Sequence, residues 1–336
     1  PQNAIARGNA YLKQTTPEKT TEITGNELNT TFGGNGQPQN AIAKGNAFLK
    51  QKSTERTSEV RGNELNAVFN GNGQLQNANS IGASNVLLIP TQPQDYSRAT
   101  MSAANAIRLG YTNGTLNQMV TDGRTTVKLD APNNNPNSAN KRVTANNVRS
   151  VFGANGKDLA KVEAVGNAEL VVEPLNAAPE NFKTTVTAPR FDCDFYEAGN
   201  IARNCSAETK AKAVRAPTVA RENRGIQTLW GDKLNAIFNR QTQDVQQFDA
   251  IGNAKFNELD RNSLSNQMTY TAGDEVIRLR GGEPTIFDSR ARAKAGEIDW
   301  DTKNQKSFLR NKVGTTYYNQ KQTNGATPFT KANTPV

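Results

Sequence analysis

The side chains that could do chemistry in this chain are few, and their types narrow the choice early. None of the 336 residues is a histidine, so a Ser-His-Asp triad and a histidine general base are excluded, and the commonest metal ligand is missing. Two cysteines, Cys193 and Cys205, stand in the segment FDCDFYEAGNIARNC. Alternating residues on either side of a Glu-Ala-Gly-Asn turn read as a hairpin that brings the thiols into register, and a disulfide of an exported protein is the expectation. Two separate thiols are the competing reading, because disulfide geometry is demanding. Asp299 and Asp301 are close enough in sequence to work as acid and base in a carboxylate-only glycosidase. They alternate on a strand, however, where a solvated pair is the commoner outcome. Gly33-Gly34-Asn35-Gly36 has no Lys-Ser/Thr after it and is no phosphate loop. The expectation is a protein that is not an enzyme, with no catalytic residue, no metal and no cofactor.

The elements that would position any site must suit an unusual composition. With 35% hydrophobic residues and a mean hydropathy of −0.71, the chain is too polar for one large compact core, yet its apolar positions are too regular for disorder. A thin, elongated protein meets both conditions. No run of about 18 apolar residues exists to span a membrane, so membrane contact is expected only through partners. The net charge of +9 and pI near 9.5 favour anionic partners such as phosphate-bearing glycolipids or membrane surfaces, although basic residues also simply keep a long β protein soluble. Aromatics do not interleave with the basic residues and no nucleic-acid motif is present, so nucleic acid is not expected as a partner. The chain opens on Pro1 inside a repeat pattern, as a processed or partial chain does, so a signal or anchor would lie upstream.

The repeat is the strongest organising signal. Residues 1–37 are written out again at 38–74, with about 25 of the 37 positions identical, as in architectures built by stacking a unit on copies of itself. A Gly-Asn pair occurs twice in each copy, at Gly8-Asn9 and Gly25-Asn26 and at Gly45-Asn46 and Gly62-Asn63. The basic unit is thus a half-repeat. After Gly25 and Gly62 comes Asn-Glu-Leu-Asn-x-x-Phe, which places Leu28 and Phe32, or Leu65 and Phe69, on one face of a strand by period-two alternation. After Gly8 and Gly45, Asn-Ala-x-Leu aligns Ala10 with Leu12 and Ala47 with Leu49. The phrases return at Gly166-Asn-Ala-Glu-Leu170, Gly231-Asp-Lys-Leu-Asn-Ala-Ile-Phe238 and Gly252-Asn-Ala-Lys-Phe256. The expectation is one continuous series over 1–336: two tandem copies at 1–74, irregular repeats at 75–224 with loops at 130–142, 174–179 and 216–225, and a last segment at 225–336. The Gly-Asn pairs read as turns or bulges, because both residues tolerate positive φ, with a stacked Asn ladder as the sharper alternative. Helix signals are poor; the best, Ser206–Val214, alternates and suits a strand equally well. The fold class expected is all-β, with on the order of 18 half-repeats adding rungs about 4.8 Å apart.

The segment from 225 to 318 resembles the OstA/LptA-like family of lipopolysaccharide-transport bridge domains. The resemblance rests on Gly231-Asp-Lys-Leu-Asn-Ala-Ile-Phe238, Asp249-Ala-Ile-Gly-Asn-Ala-Lys-Phe256, Leu279-Arg-Gly-Gly-Glu-Pro-Thr-Ile-Phe-Asp288, Gly296-Glu-Ile-Asp-Trp-Asp301 and Val313-Gly314, and it extends more loosely to 1–74. It implies an elongated antiparallel sheet folded over like a taco, whose apolar interior shields acyl chains between the two membranes of a diderm cell. On that basis Leu28, Phe32, Leu65, Phe69, Leu170, Leu234, Phe238, Phe256 and Phe287 would line a trough. The competing reading packs the same residues into a dry core. The expected partners are an anionic lipid such as lipopolysaccharide, and copies of the chain or other envelope-transport proteins joined by edge-strand addition; the expected location is the periplasm or cell envelope. A structural filament assembled through sheet edges is the alternative function, and an adhesive or carbohydrate-active β-solenoid is the third.

Overall fold

A strand that must bend without losing its ladder needs an extra residue or two and a backbone that accepts left-handed conformations. This chain supplies both at regular intervals. The computed structural model describes residues 2–318 except 16, 18, 94–95, 133–137, 222–223 and 305. Part of the expected loop at 130–142, part of that at 216–225 and the end of the 225–336 segment therefore lie outside the described residues. Among the described residues there are 24 strands and no helix, paired antiparallel in a folded-over sheet. The chain divides into two compact units, 1–176 with 190–202 and 177–189 with 203–336.

The first unit begins with four long strands in a meander, β1 (Asn3–Thr15), β2 (Lys19–Phe32), β3 (Pro38–Ser53) and β4 (Arg56–Phe69), each interrupted by a register shift near its middle or split between two partners there. β4 is where the rungs change construction. Its first half pairs with β6 (Ser84–Pro90) and its second half with β5 (Leu75–Ile81), so the next rung is made of two short strands joined at a corner. One half-sheet continues through β8 (Ala106–Thr112), β9 (Thr115–Asp122) and β12 (Asn147–Phe152). The other continues through β7 (Arg98–Ala103), β10 (Thr125–Asp130) and β11 (Ala139–Ala145). β13 (Leu159–Pro174) spans both again, pairing with β12 through its first half and β11 through its second. β14 (Phe182–Phe195) is shared, its residues up to Pro189 belonging to the second unit and those from Arg190 to the first.

The second unit follows the same plan. β15 (Ala202–Pro217), β16 (Gln227–Phe238), β17 (Val245–Glu258) and β18 (Arg261–Thr271) are long and bent, and the Ser206–Val214 stretch is strand rather than helix. β18 then splits between β19 (Val276–Arg280) and β20 (Thr285–Phe287). The two half-sheets end as β22 (Glu297–Asp301) with β23 (Lys306–Arg310), and β21 (Ala291–Lys294) with β24 (Gly314–Tyr317).

The bends share a five-residue device. In Ala6-Arg-Gly-Asn-Ala10, Ala43-Lys-Gly-Asn-Ala47, Ala164-Val-Gly-Asn-Ala168 and Ala250-Ile-Gly-Asn-Ala254 both central residues are left-handed, as at Gly45 (φ 71°) and Asn46 (φ 51°). The flanking alanines turn inward at the corner and are buried in the last three of these, Ala47 and Ala254 to 1% exposure and Ala250 to 0%. A larger side chain there would meet the opposite wall of the bend. Ser80-Ile-Gly-Ala-Ser84 and Thr121-Asp-Gly-Arg-Thr125 do the same work with hydroxyls: Ser84 Oγ donates to Ser80 Oγ at 2.8 Å and Thr125 Oγ1 to Thr121 Oγ1 at 2.7 Å, across the corner. These five-residue corners start at 6, 43, 80, 121, 164, 207 and 250, so the opening 37-residue period persists through the irregular region at intervals of 37 to 43 residues.

The intervening rungs use their asparagines differently. A Cβ on residue 45 would come within 2.5 Å of Asn26 Nδ2, and Asn63 and Asn146 lie in the same way 2.6 Å from where Cβ atoms of residues 82 and 166 would be. The Gly-Asn repeat is therefore an alternation rather than a ladder of like on like. One rung contributes a left-handed glycine and the next contributes the polar side chain that fills the space beneath it.

Replacing Gly45 by Ala forces a Cβ into that space at a left-handed position, and we expect a loss of about 2 kcal/mol or more. Gly34→Ala, with open space at its Cβ position, should stay within about 0.5 kcal/mol of the parent. Urea midpoints of the two variants check this, and equal midpoints would refute the corner account. The corner Ala207-Glu-Thr-Lys-Ala211 holds Thr209 at φ 68° and Lys210 at φ 57°, in the same conformation without the residues that favour it. The double substitution Thr209→Gly with Lys210→Asn should raise stability by about 1 kcal/mol, read as a higher urea midpoint.

Candidate functional site

The inner face of each folded sheet carries apolar side chains in rows that follow the registers. In the first unit one row beside the corner runs Leu28, Ala43, Leu65, Ser80, Ile107, Thr121, Val148, Ala164. From Ser80 to Ala164 it is 2–3% exposed, and Ala43 is 4% exposed. Farther from the corner on the same face, Phe32, Phe69, Leu109, Met119 and Phe152 are only half-buried. The facing half-sheet repeats the gradient. Its corner row of Ala47, Ser84, Ala103, Thr125, Ala145 and Ala168 is buried, while Ile23, Leu49, Val60, Val86, Met101, Val127, Val143 and Leu170 behind it are half-buried. A dry sandwich would bury these second rows most completely. Here water retains access to the inner apolar face away from the corner.

In the second unit the corner row is Ala207, Leu234, Ala250, Met268, Leu279, Ile298, all 6% exposed or less. Phe238 follows Leu234 by alternation at the end of β16, and Phe256 lies on the facing half-sheet beside Leu229, Ser263 and Ile286. Both phenylalanines are half-buried. Phe287 is different. It is in register with Asn262 and Arg292 on the opposite face of the sheet, with the Arg292 guanidinium 5.9 Å from its ring centroid. The inward residue at that rung is Ile286. Sequence reading chose the bulkier neighbour in a three-residue strand, where alternation has no length to declare itself.

The inner rows of β6 to β12 escaped the sequence reading altogether. Their rungs are broken into short strands, and the corner pairs there are Gly-Ala and Gly-Arg rather than Gly-Asn. Small residues two before and two after a glycine were the available signal. Asn147-Val-Arg-Ser-Val-Phe152, followed by a tight turn closed by the Gly153 N–H on the Asp158 carbonyl (2.8 Å), likewise repeats the phrase at Phe32 and Phe69.

One ion pair and one electrostatic influence link margins of opposite half-sheets in the first unit. Lys157, in the turn after β12, donates to Glu55, in the turn between β3 and β4, at 2.7 Å. Glu55 is held below the usual carboxylate range by that hydrogen bond and by the charge of Lys157. Tyr111 at the end of β8 has its phenol pushed up by burial, opposed by the charge of Arg56 from the other margin.

Charge is concentrated outside. Arg7 pairs with Glu27 at 2.9 Å, Arg142 with Glu169 at 3.1 Å and Lys233 with Glu208 at 3.0 Å, all across strands and all solvated. A shallow hollow of about 520 Å³ on the outer side of one corner is lined by the last of these pairs with Ile251 and Gly252. Asp299 accepts from Arg280 and Arg310, each at 2.6 Å. Burial pushes its carboxyl up, but the hydrogen bonds and charges of the two arginines prevail and hold it below the usual range. Asp301 is also lowered, chiefly by the hydrogen bond from Asn304. A general acid needs a raised carboxyl, and neither residue has one. Cys193 and Cys205 are joined as a disulfide, which is compatible with an oxidising compartment. Among the described residues no group of three acidic or cysteine side chains is placed to hold a metal ion, and no helix is long and apolar enough to cross a membrane.

The fold and inner faces define an all-β, folded-over antiparallel sheet protein with apolar, water-accessible inner walls. No protein-family model, curated protein or solved structure matches the chain.

Because the Asp299 carboxyl titrates lower when folded, its contribution is complete above the unfolded carboxyl value, about 3.9. It is lost as pH falls through the folded value. Asp299→Asn should lower the urea midpoint at pH 7, where it strands two arginines, and should flatten the fall in midpoint between pH 5 and pH 2 (approximate bounds). An unchanged acid limb would show that this carboxylate does not contribute to acid unfolding.

Proposed function

We propose that the protein is a cell-envelope conveyor of anionic lipid, in which acyl chains lie along the inner apolar rows while the polar headgroup remains in water. The observation that carries this reading is the burial gradient. Corner rows are buried, and apolar side chains beyond them, among them Phe32, Leu49, Phe69 and Leu170, keep access to solvent. An acyl chain laid along such a wall is favoured by about 0.8 kcal/mol per CH₂ removed from water. The net charge of +9 favours a phosphate-bearing amphiphile over a neutral one. The resemblance of 225–318 to lipopolysaccharide-transport bridge domains supports the same reading, and the disulfide suits an exported protein.

A structural filament is the second reading, and one observation favours it. β1 pairs only with β2 among the described residues, and its Ile5, Tyr11 and Leu12 are 48%, 56% and 52% exposed. An unpaired apolar edge is a template for another strand. The two readings are compatible, since a conveyor that spans a gap also joins end to end.

Native mass spectrometry after incubation with lipopolysaccharide should find the protein carrying lipid, and Phe69→Asp or Phe256→Asp should reduce the bound fraction severalfold while leaving the strand content of the circular dichroism spectrum intact. A parent protein that never retains lipid would overturn the proposal.

A further inference from the structure

In the second unit two arginines crowd one aromatic ring. The Arg215 guanidinium lies 4.1 Å from the Phe182 centroid and that of Arg224 lies 4.3 Å from it. Arg215 follows Ala211 and Ala213 by alternation on β15, so it stands on the inner face near the margin of the fold. Tyr270, from the facing half-sheet, is near enough to interact electrostatically with Arg215.

Neither arginine forms an ion pair with a carboxylate among the described residues. Arg215 donates to the neutral amide of Gln227 at 3.4 Å, and Arg224 donates to the Pro179 carbonyl. The acid nearby is already engaged: Glu258, 5% exposed, accepts from Arg261 at 2.8 Å and from Gln227 at 3.2 Å. Burial and then the charge of Arg224 lower the Arg215 guanidinium from its ordinary value, although the side chain is still open to solvent. The charge of Glu258 also reaches Arg215, but that carboxylate is hydrogen-bonded elsewhere, so two like charges share one ring with no carboxylate hydrogen-bonded to either among the described residues. Stacking on a ring fixes the planes of the guanidiniums and leaves most of their N–H groups to point at a tetrahedral anion.

The geometry points to Arg215 and Arg224, organised by Phe182, as the site that binds a phosphate monoester. This rests on the lipid reading above for its source, the headgroup of an amphiphile whose chains follow the inner rows; free phosphate is the other source of the same chemistry.

The test is calorimetric titration of the whole protein with short-chain phosphatidic acid below its micelle concentration, with the matching neutral diacylglycerol, and with inorganic phosphate. The parent should bind phosphatidic acid more tightly than phosphate. Arg215→Gln with Arg224→Gln should weaken both by roughly tenfold or more, whereas Arg292→Gln, on the opposite face, should change neither. If the double variant loses its strand spectrum, Arg215→Lys with Arg224→Lys keeps the charge without the planar fork, and should weaken both several-fold. Unchanged phosphate affinity in a folded double variant overturns the site, as does an equal loss in Arg292→Gln. Arginine-dependent binding of phosphate with no preference for phosphatidic acid keeps the site and removes the lipid reading. Equal, arginine-independent binding of phosphatidic acid and the neutral lipid keeps the lipid reading and removes the site.

Discussion

Everything in this fold depends on how a β-strand turns a corner while its neighbours turn with it. A ladder tolerates a bend only if the residues at the bend leave the extended region and the side chains inside it take up almost no room. Here the first condition is met by glycine and asparagine at positive φ and the second by alanine, serine or threonine two positions to either side. Because each rung rests on the next, a large residue at one corner would displace the corners above and below it. The low hydrophobicity of the chain follows directly. Much of what is buried completely is alanine or a small hydroxyl residue paired across the bend.

The same constraint makes the interior. Burial declines outward from the corner along most inner strands, although Glu258 at the far end of β17 is buried again. The first row is closed, and the second is apolar but within reach of water. Phe32, Phe69 and Phe238 stand half-buried at strand ends, while Ala43 and Ala250 stand at the bend in rows whose intervening rungs hold Ile107 and Leu279. An apolar wall that water can reach is a costly surface for a protein to maintain without an occupant, and this is the physical basis for reading it as a place for acyl chains. The cationic pair on Phe182 belongs to the same geometry, since Arg215 stands on the inner face where the wall is open to solvent.

Charged residues serve the opposite face. Cross-strand pairs such as Arg7 with Glu27 keep the outer surface soluble and in register at little individual gain in stability. The carboxylates that looked most like a catalytic pair, Asp299 and Asp301, turn out to be acceptors for arginine and asparagine donors.

The all-β class, the Gly-Asn bends at residues 8, 45, 166 and 252 and the faces of Leu28, Leu65, Leu234 and Phe256 were legible in the sequence, because period-two alternation and left-handed tolerance are local properties. The sequence also put the two cysteines within reach of one another. Only the tertiary structure decided that Phe287 faces outward, that Ser80–Ser84 and Thr121–Thr125 are corners equivalent to Ala43–Ala47, and that paired Gly-Asn motifs alternate between bending a strand and filling space under its neighbour. Those outcomes depend on which strand lies alongside, and the information for that is held by other residues, such as Asn26 beneath Gly45 and Asn63 beneath Gly82. The duplicated opening segment announced the device; the registers revealed that the irregular middle of the chain uses it too, with different small residues answering the same steric demand.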